Sequence, residues 1–142
     1  MLKIITDKIG KERVVRFLKF GIVGASGIFV NMFFLWLMHE KFALPLAVAS
    51  LIAVAFAILN NFLWNDFWTW SNKNTEKKYP FFHRLWRYYL SASLGSAINY
   101  VTLLILTEIF GVYYLLANLI GIFFGMTSNF LLGEFWVFKK KH

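Results

Sequence analysis

Long apolar runs dominate the chain, broken by short polar intervals. Four runs reach the roughly 20 residues that a helix needs to cross a membrane: residues 18–38, 44–64, 86–108 and 112–134. None shows the period-2 alternation of a half-buried strand, so the pattern predicts an all-α, polytopic membrane protein of four transmembrane helices. The intervals between the first and second runs and between the third and fourth are short, which joins the runs as two helical hairpins. Pro45 falls at the start of the second run, where a missing N–H costs little. Between the hairpins lies SNKNTEKKYPFFH, polar and Pro-containing, which reads as a loop. A basic segment precedes the first run, which is too long for a cleavable signal peptide; none is expected.

Charge adds direction to this picture. Charged residues are only 15% of the 142, and a soluble domain needs roughly 25% to coat its surface. The formal charge of +8 is gathered in blocks. Lys3, Lys8, Lys11, Arg13, Arg16 and Lys19 precede the first span; Lys73, Lys77, Lys78, Arg84 and Arg87 separate the hairpins; Lys139, Lys140 and Lys141 close the chain. Lys41 alone lies on the opposite side, and the positive-inside rule therefore places both termini in the cytoplasm. Blocks separated by apolar spans are unlike the continuous basic face of a nucleic-acid binder, so no nucleic acid is expected as a partner.

The chain also matches itself. An offset of 68 aligns 16–71 with 84–139 without a gap, setting Arg16 on Arg84, Gly27 on Gly95, Asn31 on Asn99, Glu40 on Glu108, Asn61 on Asn129, Asp66 on Glu134 and Trp68 on Trp136. Shared greasiness does not align so many polar residues at one offset. The expected organisation is a single domain, 1–142, built from two parallel two-helix repeats (16–71 and 84–139) and a cytoplasmic linker, 72–83. By analogy with transporters of repeated architecture, a substrate path is expected at the repeat interface.

Two groups of polar residues carry candidate chemistry. Gly24, Gly27 and Asn31 share one face of the first span, as Ala92, Gly95 and Asn99 do in the third, and Gly121 and Gly125 form a small-xxx-small pair in the fourth. Asn31, Asn61, Asn99 and Asn129 read either as interhelical hydrogen-bonding glue or as the lining of a head-group path, because polar groups at membrane depth are costly. Near the inner interface stand Arg16, Lys19, Arg84 and Arg87, which set topology first of all. Their chemistry also suits a lipid phosphate, for which guanidinium offers a matching fork. Asp66 and Glu134, at the same level, are candidates for structural ion pairs with these cations. Trp64, Trp68, Trp70 and Trp136, with Phe67, Phe135 and Phe138, read as an interfacial aromatic belt. In NFLWNDFWTW, residues 61–70, helical spacing sets Asn61, Asn65 and Trp68 on one face.

Enzymatic signatures are missing. Cysteine is absent, His39, His83 and His142 are scattered, and no Ser/His/Asp set, metal-ligand spacing or phosphate-cradling loop occurs. Neither metal nor cofactor is expected, and the protein is read as no enzyme. A proton antiporter of the small multidrug type needs a buried acid in its first span, and this span has none.

RFLKFGIVGASGIFVN at 16–31 and NFLWNDFWTW at 61–70, with their echoes RLWRYYLSASLGSAIN at 84–99 and NFLLGEFWVF at 129–138, resemble the GtrA-like family of small four-span membrane proteins. The resemblance covers roughly residues 13–139. It implies translocation of a polyprenyl-phosphate-linked monosaccharide across the plasma membrane for cell-surface glycan or polysaccharide modification. The implied partners are that sugar lipid and a membrane glycosyltransferase, and a homo-oligomer is expected because four spans offer little lining. The rival reading is an accessory or scaffold subunit of a polyprenyl-phosphate glycosyltransferase that moves no lipid. Many members carry Asn-Arg-x-Trp where this chain has Asp66, and Gly133-Glu134 in the second copy. That departure moves the expected phosphate contacts onto Arg16, Lys19, Arg84 and Arg87.

Overall fold

A computed structural model describes residues 1–71 and 76–141. Lys73, the linker positions 72–75 and His142 lie outside the described residues. The chain divides into two compact units, Met1–Lys73 and Asn74–His142. The first holds α1 (Leu2–Trp36) and α2 (Leu46–Trp64), the second α3 (Phe81–Leu104) and α4 (Tyr114–Leu132). Each helix runs directly into a five-residue π turn: Leu37–Lys41, Asn65–Thr69, Ile105–Ile109 and Gly133–Val137. Counting these turns, the four helical segments are all long and apolar enough to span a bilayer, and the protein is a multi-pass, all-α membrane protein.

The expected spans 18–38 and 86–108 sit inside segments that begin earlier, whereas the helices for 44–64 and 112–134 begin two residues later than expected, at Leu46 and Tyr114. α1 is helical from Leu2, so at 1.5 Å per residue it runs roughly 50 Å, well beyond a hydrocarbon core of about 30 Å. Lys3, Lys8 and Lys11 therefore ride on an exposed helical extension, and no cap or Pro stops the helix before the membrane. α3 starts at Phe81 directly after Pro80, and α2 starts at Leu46 directly after Pro45. The π turns were not legible, because a periodicity of 3.6 does not signal where one residue is inserted into a turn.

The two hairpin tips share one construction. In the first, Leu44 N–H donates to Met38 O (3.0 Å) across Ala43, whose φ is +55°. In the second, Val112 N–H donates to Leu106 O (2.9 Å) across Gly111, with φ +66°. A left-handed residue closing a helix with these bonds is a glycine-type cap, and alanine there carries a steric penalty from its Cβ. Replacing Ala43 by Gly should raise stability by about 0.5–1 kcal/mol, whereas Gly111→Ala should lower it by a similar amount; denaturation in mixed micelles reads both.

The residues withdrawn from the surface alternate with strongly exposed ones such as Phe29, Leu51 and Leu119, whose large apolar side chains suit a lipid solvent. Withdrawn positions include Phe20, Val23, Gly27, Ala49, Ala53 and Phe62 in the first unit, and Tyr88, Ser91, Gly95, Ala117, Gly121 and Phe130 in the second. Each of the second set lies 68 residues after its counterpart in the first.

Candidate functional site

Within the second hairpin, glycines hold α3 and α4 together at backbone distance. A Cβ on Gly125 would stand 2.5 Å from the Gly95 carbonyl oxygen, and one on Gly121 would stand 2.7 Å from the Asn99 carbonyl oxygen. The small-xxx-small pair therefore does what its spacing predicts. The Asn99 side chain also lies against Gly121, its Oδ1 2.5 Å from the Cβ position. One layer along, the Asn129 amide occupies the space a side chain at Gly95 would need. In the first hairpin, the Asn61 amide likewise fills the space beside Gly27. Gly24 differs from expectation: nothing lies within 4 Å of its Cβ position, so it marks no close helix approach. The Gly27–Asn61 contact thus recurs as Gly95–Asn129, between residues 34 apart in each hairpin, and the second hairpin adds Gly121–Asn99.

The two amides differ in their partners. Asn60 Nδ2 donates to Asn61 Oδ1 (3.2 Å) and to Ser26 Oγ (3.1 Å), and Ser26 Oγ donates in turn to Val23 O (2.6 Å). At the corresponding positions the second hairpin has Ser128 and Leu94, and Asn129 Oδ1 is withdrawn from the surface with no hydrogen-bond donor. Asn99 Oδ1 is in the same condition. Asn31 lies half-buried on α1.

The open end of each hairpin carries a cation laid on an indole. Lys19 Nζ sits 5.1 Å from the Trp68 ring centre. Sixty-eight residues on, the Arg87 guanidinium sits 4.9 Å from the Trp136 ring centre and 3.7 Å from that of Tyr79. Such stacking holds a cation in place while leaving its in-plane N–H groups available. Arg87 Nε is withdrawn from the surface and has no hydrogen-bond partner. Arg84 is committed differently: its Nη1 donates to Tyr79 O (2.7 Å), and its guanidinium lies 5.8 Å from the Phe81 ring centre. Arg16 is half-buried, as is Glu134, while Asp66 is only 5% exposed; all three are engaged in further polar, ionic or ring contacts.

The aromatic belt needs correction. Trp70 and Phe138 are 2% and 1% exposed, so they belong to the interior and not to an interfacial girdle. Trp70 packs edge-on against Phe20 (ring centres 5.9 Å apart), and Phe138 packs edge-on against Tyr88 (6.0 Å). The cause is the π turn: Trp70 N–H reaches Asn65 O and Phe138 N–H reaches Gly133 O (both 2.9 Å), one residue further than in an α-helix. The register slips, so Asn61, Asn65 and Trp68 do not continue one helical face. Asn65 is fully withdrawn and accepts from Thr69 Oγ1 at 2.7 Å. Thr69→Val, which removes that hydroxyl, should cost about 1 kcal/mol of stability without altering lipid binding; paired denaturation and binding measurements distinguish the two effects.

A last device ties the basic segments of the second unit together. Lys78 N–H donates to Lys139 O (2.6 Å) and Lys141 N–H to Glu76 O (2.8 Å), an isolated antiparallel bridge centred on Lys77 and Lys140. Lysines before α3 and after α4 thereby share one end of the hairpin, near Arg87.

A model of the GtrA/DPMS transmembrane domain matches residues 19–142, from the cation on Trp68 to the chain's final residue. The chain belongs to the GtrA/DPMS transmembrane-domain family. It is also similar to a dolichol-phosphate mannosyltransferase of Pyrococcus furiosus, 38% identical over 119 residues. That alignment covers 84% of this GtrA/DPMS chain but 32% of the relative, so the chain spans about a third of that protein's length.

Proposed function

We propose that this GtrA/DPMS chain binds a polyprenyl-phosphate-linked monosaccharide and carries its head group across the membrane, itself doing no covalent chemistry. The prenyl tail remains in lipid, where it costs nothing, while the phosphate and sugar need partners at depth. Arg87 is the observation that carries the reading: a guanidinium stacked on Tyr79 and Trp136 with a buried, unpartnered Nε–H requires an acceptor. A phosphate oxygen supplies one with matching charge. Lys19 is the corresponding cation of the first hairpin, Arg84 and Arg16 add positive potential, and the family match and the relative's printed name both point to polyprenyl-phosphate sugars.

Asn31, Asn61, Asn99 and Asn129 are the route's polar lining in this account. Asp66 and Glu134 are structural counter-charges to the neighbouring cations, since a carboxylate repels a phosphate. The basic blocks support, by the positive-inside rule, cytoplasmic termini and cytoplasmic open hairpin ends in this account, and the plasma membrane is the membrane proposed. The 68-residue offset, shared by α2 and α4, by all the π turns and by the tip residues, supports a duplicated hairpin inserted twice in the same sense. Further copies of the chain and a membrane glycosyltransferase are the proposed protein partners.

Mass spectrometry of lipids retained through gentle purification tests the substrate class. A co-purifying polyprenyl-phosphate hexose supports it; retention of bulk phospholipid alone, in a preparation that binds no added sugar lipid, contradicts it. A scaffold role is the second reading, and the lack of a described acid among the mid-membrane residues of either hairpin favours it, since no proton-coupling group is evident.

A further inference from the structure

Three buried polar atoms in the second hairpin have no hydrogen-bond partner and lie at successive levels along α3 and the π turn that follows it: Asn129 Oδ1 beside Gly95, Asn99 Oδ1 beside Gly121, and Thr107 Oγ1. At 1.5 Å per residue, the levels of Gly95, Asn99 and Thr107 are separated by roughly 6 and 12 Å, and Arg87 lies about 12 Å before the first. Together they cover roughly 30 Å, about the thickness of a hydrocarbon core.

Each orphan has a local cause. Asn129 lacks the donor that Asn60 gives Asn61, because Ser128 and Leu94 replace Asn60 and Ser26. Asn99 turns its carbonyl toward Gly121, which offers no N–H or O–H from a side chain. Thr107 is the telling case. Other helical hydroxyls in this protein bond the carbonyl four residues back, as Thr127 does to Phe123 O (2.8 Å) and Ser93 to Tyr89 O (2.9 Å). Thr107 lies in the π turn Ile105–Ile109 and makes no such bond. A buried acceptor without a donor forfeits roughly 1–3 kcal/mol, and this hairpin leaves three such atoms for a ligand's donors to satisfy.

We infer that Asn129, Asn99 and Thr107 form a ladder of hydroxyl-binding positions on the second hairpin, with Thr107 as a binding residue near the tip. The chemistry selects the ligand: an amide carbonyl only accepts, so its partner must donate. A phosphate, rich in acceptors, is unsuited to the ladder and suited to Arg87; sugar hydroxyls donate and suit the ladder. Thr107 Oγ1 both donates and accepts, which fits a hydroxyl in either orientation. This assignment rests on the lipid-sugar reading and adds that the sugar, not only the phosphate, is recognised, and by this hairpin.

The test compares dolichyl-phosphate mannose with bare dolichyl phosphate on the full chain in nanodiscs. The unmutated protein should prefer the mannosylated lipid. Thr107→Val, which keeps the shape, and Asn129→Leu should each reduce that preference roughly three- to tenfold while bare dolichyl phosphate still binds, and Thr107→Ser should retain it. Equal binding of the two lipids by the unmutated chain, or full preference in Thr107→Val, would overturn the ladder and leave the phosphate site standing. Binding of neither lipid would overturn the lipid-sugar reading itself, and the ladder with it.

Discussion

Gly125→Ala should destabilise the second hairpin by about 1–3 kcal/mol, while Gly24→Ala should be neutral or slightly stabilising. Both changes add one methyl to a glycine in a membrane-spanning helix. At Gly125 the methyl arrives 2.5 Å from the Gly95 carbonyl oxygen and 3.5 Å from Asn99 Cβ. The first of these is backbone and has no rotamer to retreat into, so α3 and α4 must part, and overpacking of this kind costs about 1–3 kcal/mol. At Gly24 nothing lies within 4 Å, and alanine gains up to about 1 kcal/mol of helix propensity in water-like settings. Gly95→Ala should cost less than Gly125→Ala, since the atoms nearest its methyl belong to the Asn129 side-chain amide, which can turn away. Unfolding in mixed micelles measures all three. Equal tolerance of Gly24→Ala and Gly125→Ala would mean that α3 and α4 do not meet at backbone distance.

The second large effect concerns Arg87. Arg87→Ala should weaken binding of a polyprenyl phosphate at least tenfold, in line with roughly 1.5–3 kcal/mol for a hydrogen bond to a charged group. Arg87→Lys should recover little of it. Lysine keeps the charge but loses the planar fork, the stacking on Tyr79 and Trp136, and the in-plane Nε–H. Lys19 in the first hairpin has one indole beneath it, so lysine is adequate there and not at position 87. Full binding by Arg87→Lys would reduce the residue to a topology-setting charge. A loss that follows Trp136→Leu as well would tie the effect to the stacking arrangement.

Much of the fold was legible because a membrane restricts the choices. Apolar length revealed four helices, basic blocks gave a consistent end to each hairpin, and Gly121 with Gly125 announced a close helix pair. The glycine-to-asparagine contacts were half legible. Gly27 and Asn61 stood out separately, as did Gly95 and Asn129, but only the packing shows that each amide fills the gap its glycine leaves. The π turns were hidden, and with them the burial of Trp70 and Phe138: inserting one residue turns a side chain by about 100°, and no composition rule marks the insertion. Thr107 was concealed as well, since nothing in the sequence marks its hydroxyl as one that stays buried and unpartnered in a π turn. Gly24 misled in the opposite direction, since glycine in a helix signals a close contact only when a neighbour stands opposite.

Transport of the lipid head group is read out by its leaflet crossing. The purified chain is reconstituted into liposomes with a fluorescent polyprenyl-phosphate hexose, and the lipid accessible from outside is followed over time. Crossing should be faster than in protein-free liposomes, with the acceleration lost in Arg87→Ala. Crossing no faster than in empty liposomes, by protein shown to be folded and to bind the lipid, would contradict it.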